Sequence, residues 1–108
     1  MEYVIGVDLG GTKIDAGLVK PNGRIKDIVR VDTEAKKGAD KVTLNIIKAI
    51  RSVINNRVKA IGIGSPGPLD YKKGVILNPP NLPFRNFNLK RIIEKEFKLK
   101  VKIDNANV

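Results

Sequence analysis

Asp8-Leu9-Gly10-Gly11-Thr12-Lys13 is the segment of this sequence best equipped for chemistry. Two adjacent glycines tolerate positive φ and leave backbone N–H groups unobstructed, so a phosphate can approach the chain closely. The Thr12 hydroxyl adds a donor and Lys13 a positive charge. Asp8 sits where its carboxylate could hold a hydrated Mg2+ beside that phosphate. A plain Gly-Gly hairpin behind a strand-end Asp uses the same residue types, but acid and turn at one locus favour the phosphate role. A second acid opens Asp104-Asn105-Ala106-Asn107. It could serve as general base toward a substrate hydroxyl, or cap a following helix. Asn78 and Asn81, in the stiff run Asn78-Pro79-Pro80-Asn81-Leu82-Pro83, carry donors and acceptors that suit sugar hydroxyls and equally suit an ordinary turn.

What the sequence lacks narrows the chemistry. With no cysteine and no histidine among its 108 residues, it excludes disulfides, Cys/His zinc sites and His-activated nucleophiles. Carboxylates, hydroxyls, lysines and backbone amides remain. A formal charge of +10 invites polyanionic partners or marks a solvated lysine surface. Basic residues are spread along the chain with little aromatic interleaving, so nucleic acid is the weaker expectation. No run of transmembrane length and no signal-peptide pattern is present, making a cytoplasmic protein the default expectation. Gly62-Ile63-Gly64-Ser65-Pro66-Gly67 matches the spacing of a dinucleotide fingerprint, but Pro66 and Pro68 oppose the helix that motif must open.

These residues must be placed by elements that the patterning makes visible. Tyr3, Ile5, Val7 and Leu9 alternate with Val4, Gly6 and Asp8, predicting a central strand that presents Asp8 on the face opposite the apolar set. Ile14, Ala16 and Leu18 predict a second strand. Arg24 to Val31 predicts a third, with Ile25, Ile28, Val29 and Val31 as its apolar members. Short turns at Gly10-Gly11 and Pro21-Asn22-Gly23 make the three an antiparallel meander. Asp32 to Gly38 reads as a polar connection. Helical spacing then runs from an Asp40 N-cap through Val42, Ile46, Ala49, Ile50 and Val53 to Asn55-Asn56. Val58 to Ile63 is a strand, Ser65 to Pro68 a break and Val75 to Leu77 a brief strand. Asn88 caps a second helix with Phe87 and Ile92 placed as a hydrophobic staple. A last strand, Leu99 to Ile103, delivers Asp104. The order β-β-β-α-β-α-β is that of the ribonuclease-H-like α/β fold, a mixed five-stranded sheet.

The chain resembles the ROK family of sugar kinases and sugar-responsive regulators, within the actin-like ATPase superfamily. The resemblance is carried by Ile5 to Lys13, Ile61 to Pro68, Asn78 to Pro83 and Asp104 to Asn107, in the family's order. It implies ATP and Mg2+ as cofactors and a hexose as substrate. By position, Gly10, Gly11 and Thr12 would contact the ATP phosphates, Asp8 would sit near the metal, and Gly67, Asn81 and Asn105 would face the sugar. Family members are much longer, so residues 1–108 are expected to be an N-terminal lobe with the C-terminal lobe absent and with negligible kinase activity alone. The uncovered sheet face this leaves predicts self-association. The family's last motif reads acid-Asn-Asp-Ala-Asn, with the inner Asp as catalytic base, and here it is one residue short. Asp104 therefore stands either on the outer acid, with the base deleted, or in the base's place. Two other functions fit less well: a non-catalytic sugar-binding or regulatory fragment, and a nucleic-acid enzyme on the same fold, which would need a further metal-holding acid.

Overall fold

In the computed structural model, which describes residues 2–105, strand β1 (Tyr3–Leu9) turns Tyr3, Ile5, Val7 and Leu9 into the core. A slip of one residue would bury Asp8, so the alternation fixes the register. Strand β2 (Lys13–Val19) pairs antiparallel with β1, and β3 (Ile25–Asp32) antiparallel with β2. Helix α1 (Ala39–Val53) crosses over to β4 (Val58–Ser65), which runs parallel to β1. A ribbon of β5 (Leu69–Asp70) and β6 (Val75–Ile76) follows. Helix α2 (Leu89–Phe97) then leads to β7 (Lys100–Asn105), parallel to β4. The main sheet is ordered β3-β2-β1-β4-β7, the mixed five-stranded sheet expected from the patterning.

One face of the sheet holds the core. Ile5, Ile14, Leu18, Ile61, Ile63, Val101 and Ile103 are buried there against Val42, Ile46 and Ile50 of α1 and Leu89 and Ile93 of α2. The other face is open. Asp8, Gly62, Lys100, Lys102 and Asp104 are exposed on it, and Ile25 and Ile28 are 60% and 63% exposed.

The structure corrects four local expectations. Asp27 takes a left-handed conformation (φ 55°) where the β2–β3 register shifts. Val29 and Val31 pack on the core; Ile28 faces away from it by alternation, and the bulge puts Ile25 on that same exposed face. Helix α1 begins at Ala39 behind Gly38, so Asp40 lies in the first turn rather than at the cap, where its charge still suits the helix dipole. The same helix ends at Val53, just before the predicted Asn55-Asn56 stop. The staple does not form: Ile92 is 37% exposed, and Phe87 stacks on Phe84 with ring centroids 4.6 Å apart. Asn88 does cap α2, its side chain accepting from the Arg91 amide at 3.0 Å.

Candidate functional site

The sheet pairing aligns the acids in one cross-strand row on the open face. Arg30 of β3 lies opposite Asp15 of β2, Asp15 opposite Asp8 of β1, Asp8 opposite Gly64 of β4, and Gly64 opposite Asp104 of β7. The backbones of Asp8 and Asp104 are thus two strand spacings apart, about 10 Å. The residue between them has no side chain. Asp15 is taken by Arg30, at 2.7 Å and 3.0 Å. That hydrogen bond holds the Asp15 carboxyl below its usual range and raises the Arg30 guanidinium, with Asp8 adding to the field at Arg30. Asp8 is exposed and its carboxylate takes no hydrogen bond or ion pair among the described residues. Asp104 is exposed, and its Oδ1 accepts from the Asn105 amide at 2.8 Å.

β1 delivers Asp8 to the mouth of the diglycine turn. Neither Gly10 nor Gly11 has positive φ, contrary to the expectation for this pair. Close approach explains them instead. A Cβ on Gly10 would meet the Lys13 carbonyl at 2.9 Å, and one on Gly11 would meet the Asn81 Cβ at 2.9 Å. The Gly10 amide donates to the Lys13 carbonyl at 3.0 Å. The Gly11 and Thr12 amides, by contrast, have no backbone acceptor among the described residues. Lys13 is engaged rather than free, because its ammonium pairs with Asp32.

The three predicted sugar-facing residues fall into two places. Gly67 lies against Asn105, where an added Cβ would be 3.0 Å from Nδ2. Asn81 leans on Gly11 from the proline loop. Ala106 and Asn107 lie outside the described residues. A groove of about 850 Å3 opens between the turn, the β3–α1 connection and the proline loop, lined in part by Thr12, Glu34, Lys36, Asn81 and Leu82.

Patterning missed two neighbours of the turn. Thr33 is fully buried and bonds to it, and Glu34 stands in the left-handed region at φ 59°. Both sit in what reads as a polar connection, and no local signal marks them.

The donor set bears on a metal. No group of three or more acids gathers among the described residues. A divalent ion at Asp8 would therefore share its ligands with water and phosphate, which suits Mg2+. Asp15, the acid beside Asp8 in the row, is already bonded to Arg30.

A ROK family model matches residues 4–107. Glucokinase from Halalkalibacterium halodurans is 34% identical over 98% of this chain and 34% of its own length. Glucokinase from Thermotoga maritima is 36% identical over 94% of this chain and 33% of its own. Among solved structures, a Streptomyces griseus ROK glucokinase in complex with glucose and AMPPNP superposes with a TM-score of 0.87 at 36% identity, covering 95% of this chain and 33% of that one. The chain thus spans about a third of the length of the relatives it matches.

Proposed function

The chain belongs to the ROK family, and from that membership we propose that it is the N-terminal lobe of an ATP-dependent hexose kinase. The transfer is that of the γ-phosphoryl group to a sugar hydroxyl. One observation carries this most directly: a diglycine turn with unengaged Gly11 and Thr12 amides shares one end of the sheet with the unpaired carboxylate of Asp8 and with Asp104.

Each residue has a part. The Gly11 and Thr12 amides and the Thr12 hydroxyl hold phosphate oxygens, with Gly10 keeping the turn tight. Lys13 contributes charge from its pair with Asp32. Asp8 is the residue that would hold Mg2+ through its water shell, and the ion, when bound, neutralises phosphate charge. Asp104 accepts the proton of the attacking hydroxyl. Gly67 and Asn105 on one side and Asn81 on the other orient the sugar. We place the protein in the cytoplasm, where ATP is available; no helix among the described residues is long and apolar enough to cross a membrane. We further propose that copies associate through the open sheet face.

Calorimetry with ADP tests this. Asp8→Asn is expected to weaken binding about tenfold in Mg2+, by loss of a charged ligand interaction, and not to weaken it in EDTA, where the lost carboxylate only repelled phosphate. Equal affinity in Mg2+ would remove Asp8 from the metal role. Sugar-dependent ADP release by the 108-residue chain is expected to be negligible, and clear turnover would contradict the single-lobe assignment.

A further inference from the structure

We propose that Thr33, itself held by Asn45, is the positioning residue that orients the Gly11 amide of the diglycine turn. Thr33 has no exposed surface. Its Oγ1 donates to the Gly10 carbonyl at 2.8 Å, and its backbone amide donates to the Thr12 carbonyl at 2.9 Å. The two carbonyls flanking the exposed part of the turn are thereby drawn inward. The Gly10 carbonyl and the Gly11 N–H belong to one planar trans peptide and point in opposite directions. Pinning the carbonyl at Thr33 therefore aims the Gly11 N–H away from Thr33 and leaves it without a backbone acceptor among the described residues, available to a phosphate.

Thr33 is anchored in turn. Its carbonyl accepts from Asn45 Nδ2 at 3.1 Å, and the same nitrogen donates to Glu34 Oε2 at 2.8 Å. Asn45 is a buried residue of α1. Glu34 adopts a left-handed conformation uncommon outside glycine, and its carboxylate is also held by Lys37 at 2.7 Å and Lys41 at 3.6 Å. A chain of contacts thus runs from helix α1 through Asn45 and Thr33 to the turn. Thr33 touches no substrate; it acts through Gly10.

The consequence for binding rests on the phosphate role of the turn, so the test separates the two. The full chain is compared with Thr33→Val, which removes only the hydroxyl, with Thr33→Ser, which restores it, and with Thr43→Val. Thr43 is the control: it is buried and donates to the Ala39 carbonyl at 2.8 Å within α1. Two readouts are taken, the amide resonance and hydrogen exchange of Gly11 without ligand, and the affinity for Mg·ADP. Thr33→Val is expected to shift the Gly11 amide and weaken Mg·ADP binding about five- to tenfold. Thr33→Ser is expected to recover both, and Thr43→Val to lower the melting temperature without moving either. If Thr33→Val does not fold, Asn45→Ala is expected to displace the same amide by a smaller amount. A Gly11 amide unmoved in the Thr33 or Asn45 variant, or moved as much by Thr43→Val, overturns the proposal. Failure of the unsubstituted chain to bind Mg·ADP, with the Gly11 amide still answering to Thr33, would overturn the phosphate role of the turn and leave the positioning role standing.

Discussion

A Cβ built on Gly11 would lie 2.9 Å from the Asn81 Cβ and 3.2 Å from the Asn81 carbonyl oxygen, whereas one built on Gly62 would meet nothing within 4 Å. The contrast separates glycines that the fold needs from those it tolerates. Gly11→Ala must push the proline loop off the turn and is expected to cost about 1–3 kcal/mol, the usual range for overpacking. Gly62→Ala is expected to be neutral or slightly stabilising, since alanine loses less chain entropy in a strand. Urea denaturation of the two variants checks this, and equal midpoints would contradict the packing account. The two glycines of the turn were plain in the sequence, but their reason was not. Patterning favoured torsional freedom, whereas Gly10 is required by the Lys13 carbonyl within the turn and Gly11 by a loop some seventy residues further along the chain. Asp8 was legible because one charge interrupts an apolar alternation. Thr33 was not, because a lone threonine after a strand carries no signal of which carbonyl it meets.

The β3–α1 connection shows how an element without regular pattern can be the most determined part of a site. Hydrogen bonding from Lys37 first, and then from Asn45, lowers the Glu34 carboxyl from 4.5 to about 2. A carboxyl depressed in the folded state contributes stability that is fully present above its unfolded value, near pH 4.5, and lost as pH falls toward about 2. Glu34→Gln is therefore expected to lower stability at neutral pH and to flatten the pH dependence between about 4.5 and 2. Urea midpoints measured across that range read it directly; parallel curves for the two proteins would show that Glu34 makes no folded-state pairing. The strands and helices themselves were largely readable, because alternation in β1 and β2 and helical spacing in α1 persist over whole elements. Their ends were less so. Gly38 displaced Asp40 from the cap, and the Asp27 bulge turned Ile25 away from the core, both through backbone conformations that composition does not announce.

At the scale of the whole molecule, one sheet face is packed and the other is bare. Exposed Ile25 and Ile28 border Val19 and Val4 along the open face, and a formal charge of +10 opposes any two copies meeting there. Association is expected to appear in light scattering as a mass that rises with concentration and rises further as salt screens the repulsion. A monomer at every concentration and salt would exclude the open face as a contact between copies. The overall topology was legible because three strand signals joined by short turns, followed by helix-strand alternation, leave few ways to build a sheet. The alignment of Asp8, Gly64 and Asp104 in one row was not, since it depends on parallel register between strands far apart in sequence. That row gives the diglycine turn its significance, and titrating Mg·ADP into isotope-labelled protein while following its backbone amides tests the phosphate role most directly. The predicted result is a set of shifts largest at Gly10, Gly11, Thr12 and Lys13, extending to Asp8. Shifts centred elsewhere, such as the Pro21-Asn22 turn, or saturation with the Gly11 and Thr12 amides unmoved, would contradict it.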